Sequence, residues 1–142
     1  MNSRLSLSVR EKHGLVYAID ANYSAYSDTG MFAIYFGTEP KQVAKCMKLI
    51  NREMEKLCGK RLSPSELASA KEQIKGQLAL SEENNLGLMI MMGRAIIDHD
   101  RVPTLKEVFE KIDNVSAQTL QAVANEMFDD SKLSYLFMEP EK

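Results

Sequence analysis

The spacing of apolar positions changes along the chain, and each change marks an element. From Ser3 to Lys12, Leu5 and Val9 stand four apart, as on one face of a helix, and Gly14 suits the left-handed position that ends one. Leu15 to Ile19 is rich in β-formers and continues through Ala21, Tyr23 and Ala25 in near-alternation with polar residues. Ser27-Asp28-Thr29-Gly30 signals a turn, and Met31 to Gly37 reads as a second strand, which predicts an antiparallel hairpin. Because Met31 to Phe36 is apolar throughout, the pattern predicts cover on both faces.

After Thr38-Glu39-Pro40 the period lengthens. Val43, Met47, Ile50, Met54 and Leu57 step by four and three, predicting an amphipathic helix that ends near Gly59. Ser63-Pro64-Ser65-Glu66 opens the next helix with a capping-box pattern and a proline at its first turn. Leu67, Ala70, Ile74 and Leu78 form its apolar stripe. A bend or break is predicted near Asn84 to Gly87, with apolar positions resuming from Leu86 to Ile97. Pro103-Thr104-Leu105 starts a short helix through Ile112, Ser116 caps another through Phe128, and Lys132 to Met138 reads as a last strand. Strands grouped with helices segregated to one side indicate an α+β fold. Three strands make a thin sheet for so many helices, which suggests a domain missing its beginning.

Composition narrows the function classes. Among 142 residues, 18 basic and 20 acidic side chains give a net charge of -2, against a nucleic-acid partner, which usually meets a basic excess. No apolar run reaches the roughly 18 residues of a membrane span, and Met1 to Arg10 lacks the apolar core of a signal peptide. Cys46 and Cys58 are placed about 18 Å apart by the helical rise. A disulfide needs Cα atoms within about 7 Å. Both therefore read as free thiols, which suits a cytoplasmic location.

Chemistry-bearing residues are sparse. The two histidines, His13 and His99, are far apart in sequence, so neither H-E-x-x-H nor H-x-x-E-H can be written. Asp98-His99-Asp100 reads as a polar helix end, and His13 as a helix C-terminal residue favoured by the dipole. No G-x-S-x-G elbow presents a serine, and the glycines are too scattered to cradle a phosphate. The nine methionines read as adaptable core packing.

The informative stretch is Met1 to Gly37. Met-Asn-Ser-Arg-Leu (1–5), Val-Arg-Glu-Lys-His-Gly-Leu-Val-Tyr (9–17) and Tyr-Ser-Asp-Thr-Gly (26–30) resemble the insulinase or pitrilysin family, the M16 zinc peptidases, which include the mitochondrial processing peptidases. The motif is an arginine followed by glycine-leucine-x-tyrosine, and Arg10 and Tyr17 hold its spacing. Phe36-Gly37-Thr38, Ser63-x-x-Glu66-Leu67 and Ala70-Lys71-x-x-x-x-Gly76 also fit, so the resemblance runs over essentially the whole chain.

The resemblance implies a LuxS/MPP-like metallohydrolase half, residues 1–142 being most of the family's C-terminal domain with its opening strands missing. It implies a parent peptidase in which the other half holds the zinc while this half supplies the arginine and tyrosine. Arg10 is then expected to hold a substrate carbonyl, and Tyr17 to stabilise the oxyanion of the tetrahedral intermediate. Spacing alone favours Arg10 as a solvated helix charge and Tyr17 as a core aromatic at an edge; the resemblance reverses that reading. Zinc is expected in the parent and none in this chain, which alone is expected to be inactive. The expected partners are the N-terminal half or a partner subunit, and a peptide substrate. A sheet without its opening strands leaves an unpaired edge, so self-association of the chain is also expected. The alternatives are a non-catalytic subunit that pairs with an active one, a structural core-like assembly protein, and a free-standing binding module.

Overall fold

The computed structural model describes residues 3–139. The chain divides into two compact units, Met1–Lys60 with Gln121–Lys142, and Arg61–Leu120.

The first unit opens on a π-helix, Ser6–Glu11. Its hydrogen bonds span five residues, as from the Lys12 N–H to the Leu7 carbonyl at 3.0 Å. Val9 is fully buried on it. Gly14 has a φ of 59°, where a side chain would be strained, and its N–H donates to the Arg10 carbonyl at 2.8 Å. The chain then runs through buried Leu15 and Val16 into strand β1, Ala18–Ala25, which pairs antiparallel with β2, Gly30–Gly37. Register runs from Ala18 opposite Gly37 to Ala25 opposite Gly30. The predicted turn is closed by the Tyr26 N–H, which donates to the Thr29 carbonyl at 2.9 Å.

Helix α1, Val43–Gly59, covers one face of this hairpin. Its Cys46, Leu49 and Ile50 form the core with Val9, Leu15 and Val16, and Ile19, Ile34 and Phe36 pack against it from the sheet. Helix α5, Ala117–Met127, runs across the division between the units. Just past its end, Phe128 meets Phe32 edge-to-face, with ring centroids 5.5 Å apart. The α+β class follows: an antiparallel sheet with its helical cover on one face.

Three expectations are corrected. Met31 to Phe36 is not covered on both faces, since Met31 and Tyr35 are exposed. The two faces of a strand alternate, and only the face bearing Ile34 and Phe36 meets α1. Lys132 to Met138 is not a strand: among the described residues the sheet has two strands. Leu133 has an extended backbone, but a strand exists only where its N–H and C=O groups find a ladder. Finally, the predicted line of α1, Val43, Met47, Ile50, Met54 and Leu57, meets the core through Ile50 and Met54, but the most deeply buried face also takes in Cys46, Leu49 and Glu53 beside it.

Glu53 explains that last difference. It is 7% exposed, accepts from Ser8 Oγ at 3.2 Å and pairs with Lys56 Nζ at 2.6 Å. Burial pushes its carboxyl pKa up, but the bond and charge of Lys56, the Ser8 hydroxyl and the charge of Arg4 outweigh it, and the net direction is down. A carboxylate whose pKa is lower folded than unfolded contributes stability that is complete above its unfolded value and is lost as pH falls through its folded value. Urea unfolding between about pH 6 and about pH 3 should therefore show stability declining with acid, and Glu53→Gln should flatten that decline. Equal slopes for the two chains would show that Glu53 takes no part in it.

The second unit is helical. Helix α2, Pro64–Ser81, starts at a complete Ser63–Glu66 capping box. Asn84 then caps α3, Asn85–His99, which ends at Asp100 in the left-handed conformation. Helix α4, Leu105–Asp113, starts at a second box, Thr104–Glu107. The Thr104 backbone N–H and the Arg101 guanidinium lower the Glu107 pKa to about 2. Helices α2 and α4 meet through polar contacts: Lys71 Nζ donates to the Asp113 carbonyl at 2.7 Å, and Lys75 Nζ to Asp113 Oδ1 at 3.0 Å. Among the described residues, no helix is long and apolar enough to cross a membrane.

Candidate functional site

Arg10 and Tyr17 lie on the two ends of one anchored segment. Arg10 is in the last turn of the π-helix, next to buried Val9. Tyr17 follows buried Val16, and its N–H donates to the Gly37 carbonyl at 2.8 Å. Between them the Leu15 N–H donates to the Val9 carbonyl at 3.2 Å, and the Leu15 carbonyl accepts from the Thr38 hydroxyl. His13 Nδ1–H donates to the Ser8 carbonyl at 2.6 Å, satisfying a carbonyl of the helix's last turns. The backbone on either side is thus tied to the core, while the two functional groups are not.

Tyr17 is 73% exposed. It is therefore not the core aromatic that spacing alone allows. Its hydroxyl donates to Glu39 Oε1 at 3.3 Å, a long contact at the surface. The Arg10 side chain is 42% exposed, with its Nε 3.6 Å from Glu11 Oε1. The two side chains have different carboxylate neighbours. Each has the freedom to reach a ligand, the phenol as a neutral donor and the guanidinium as a charged fork.

Sequence reasoning missed the supports of this segment. Thr38 and Glu39 were legible only as a change of period before Pro40, yet one latches Leu15 and the other meets the Tyr17 phenol. Ser8 links the opening helix to Glu53 of α1. These contacts cross 23, 22 and 45 positions of sequence, and no local signal specifies them.

The residues present do not fit a catalytic zinc. Such a site takes about three protein ligands, and among the described residues no three His, Cys, Asp or Glu side chains group to hold a metal. The His13 ring is committed to a backbone carbonyl, and His99 sits in the last turn of α3. Both cysteines are free thiols, Cys46 being buried. Burial also pushes the Cys58 thiol up, away from thiolate reactivity.

Comparison with known proteins places this arrangement. The family described as "Peptidase M16 inactive domain" matches residues 1–74. The "Uncharacterized zinc protease YmxG" of Bacillus subtilis is 32% identical over 128 residues, 90% of this chain and 31% of that protein. An "Uncharacterized zinc protease" of Rickettsia felis is 30% identical over 128 residues, with the same two coverages. The chain thus spans under a third of the length of these relatives. Among solved structures, a chain of "Complex III2 from Candida albicans, Inz-5 bound" superposes with a TM-score of 0.76 at 23% identity, over 89% of this chain and 30% of that one. The periplasmic protease PqqL of Escherichia coli superposes with a TM-score of 0.63 at 16% identity, over 86% of this chain and 14% of that one. These two likenesses show the fold that the chain shares with parts of those two proteins. With the family match taking in more than half of the residues, the chain belongs to the M16 zinc metallopeptidase family and is its C-terminal, catalytically inactive domain.

Proposed function

We propose that residues 1–142 form most of the second half of a zinc-dependent endopeptidase, and that Arg10 and Tyr17 complete a peptide-cleaving site whose metal is held by the first half. The observation that carries this reading is the exposure of both side chains on a backbone fixed by Val9, Leu15 and Val16. A charged fork and a neutral hydroxyl on rigid supports suit substrate positioning and charge stabilisation. Arg10 holds a backbone carbonyl of the peptide, displacing its contact with Glu11. Tyr17 donates to the oxygen that becomes negative as the carbonyl carbon turns tetrahedral. Glu39 keeps the phenol oriented before substrate arrives. The chain alone does not cleave peptides. The parent is a cytoplasmic protein in this reading, and the open edge of the hairpin receives a strand from outside residues 1–142, or from another copy when the chain is isolated.

A non-catalytic subunit that lends the same two side chains to an active partner is the second reading, equally compatible with a match to an inactive domain. Zinc content of the full-length protein separates them: about one ion per chain supports the single-chain peptidase, and none supports the lending subunit.

Arg10→Lys tests the role of the fork. Lysine keeps the charge and loses the planar geometry. In the full-length protein kcat/KM should fall about ten- to a hundredfold, the worth of a charged hydrogen bond, with zinc content unchanged. An unaltered kcat/KM at equal folding would remove Arg10 from the site.

A further inference from the structure

Thr38 lies between the end of β2 and the short helical turn Pro40–Gln42 that leads into α1. That stretch is stiff. Before it, the Gly37 carbonyl accepts from the Tyr17 N–H at 2.8 Å; after it, the Gln42 N–H donates to the Glu39 carbonyl at 2.9 Å. Pro40 has its φ fixed by its ring. The Thr38 side chain therefore starts from a well-held backbone.

Its hydroxyl donates to the Leu15 carbonyl. Cys46 Sγ of α1 is 3.9 Å from the same oxygen, a weak thiol contact. The thiol is also 3.7 Å from Thr38 Oγ1, so it can donate to the hydroxyl while the hydroxyl donates to the carbonyl. Cys46 is fully buried, and Leu15 is buried beside it. A hydrogen bond in such surroundings is costly to lose, because little water is at hand to replace it.

The effect reaches Tyr17 through one residue. The Leu15 carbonyl and the Tyr17 N–H belong to the two peptide groups that flank Val16. Thr38 holds the first, the Gly37 carbonyl holds the second, and Val16 is itself buried. Since each peptide group is planar, the two bonds together fix both backbone dihedrals of Val16. They thereby set the direction in which the Tyr17 side chain leaves the backbone. The phenol oxygen is at the far end of that side chain, so a small turn of the Leu15–Val16 peptide becomes a larger displacement there. A misplacement of about 1 Å at a reacting centre can cost about a hundredfold in rate. Glu39 steadies the phenol from the surface; Thr38 does so from within.

We propose that Thr38 is a positioning residue: its hydroxyl, by holding the Leu15 carbonyl, aims the Tyr17 phenol at the substrate oxygen. This role rests on Tyr17 being the oxyanion donor.

The test uses the full-length protein and an internally quenched peptide, chosen from a mixed-sequence library as one that the parent cleaves. Thr38→Val keeps the shape and removes the donor. Its kcat should fall about ten- to a hundredfold with KM within a small factor, because the group it aims acts in the transition state. Thr38→Ser keeps the donor and should recover kcat to within about threefold of the parent. In a Tyr17→Phe background, Thr38→Val should cost less than about a further twofold, since no hydroxyl is left to aim. Hydrogen exchange gives a readout apart from activity: the Tyr17 amide should exchange at least about tenfold faster in Thr38→Val and near the parental rate in Thr38→Ser. Thr38→Ala removes the same donor and gives the same comparison where Thr38→Val does not fold. An unaltered kcat in Thr38→Val beside an impaired Tyr17→Phe would overturn the proposal and leave the peptidase reading standing. So would an unaltered Tyr17 amide, or equal losses from Thr38→Val with and without the Tyr17 hydroxyl. An unimpaired Tyr17→Phe, or a parent that cleaves none of the library, would overturn the reading of Tyr17 and this proposal with it.

Discussion

Tyr17→Phe in the full-length protein should lower kcat about 10²–10³-fold, the cost of one donor to a developing oxyanion. The substitution removes a single oxygen and keeps the ring. The Tyr17 N–H still donates to the Gly37 carbonyl, and the hydroxyl's partner in the free protein, Glu39, lies at 3.3 Å on the surface. Folding stability should therefore change by no more than about 0.5 kcal/mol, as for surface substitutions generally. KM should stay within a small factor, because the proposed bond strengthens only as the carbonyl oxygen gains charge. Zinc content should be unchanged. Glu39→Gln separates orientation from donation: it leaves the phenol its proton and should cost far less than Tyr17→Phe. Equal kcat for Tyr17→Phe and the parent, at equal folding, would sink the assignment.

The largest stability effect is expected at Ile50. It is 3% exposed and lies in the core with Val9, Leu15, Val16, Cys46 and Leu49. Ile50→Ala should destabilise the first unit by about 2–5 kcal/mol, from lost burial plus the cavity left behind. That is a large part of the roughly 5–15 kcal/mol a domain has. Denaturant unfolding measures it, with Leu80→Ala as the control: Leu80 is an exposed residue of α2 and its truncation should cost only about 0.5 kcal/mol. Equal losses at the two positions would mean that Ile50 does not anchor the first unit. The same cluster fixes the backbone on both sides of Gly14, so Ile50→Ala should also loosen Arg10 and Tyr17 without touching either.

What the sequence reveals and what it hides divide along the range of the forces involved. The Ser63–Glu66 box, the break at Asn84, the left-handed Gly14 and the two free cysteines were legible because each depends on neighbours within a few residues. Lys132 to Met138 misled because its β-forming composition says nothing about whether a ladder partner lies beside it. On α1 the pattern found Ile50 and Met54 but not Glu53, whose charge hides its burial until Ser8 and Lys56 are seen beside it. Arg10 and Tyr17 were singled out by motif resemblance rather than physics; their exposure, and the Glu39 contact, needed the fold.

The π-helix at Ser6–Glu11 has a consequence for how this segment tolerates changes of length. Its turns hold one residue more per hydrogen-bonded ring than an α-helix does, so the segment carries a residue of slack. Removing Ser8, which lies inside the ring closed by the Lys12 N–H and the Leu7 carbonyl, would let that ring contract to ordinary α-helical closure, at the loss of the hydroxyl that donates to Glu53. Val9 could keep its buried place and Arg10 its outward one, since both lie on the far side of the deletion beside the fixed Gly14 turn. A deletion between Gly14 and Tyr17 has no such reserve: Leu15 and Val16 are both buried, and losing either would rotate the phenol toward the opposite face of the hairpin. Shortening is thus absorbed upstream of Arg10 and disruptive downstream of it.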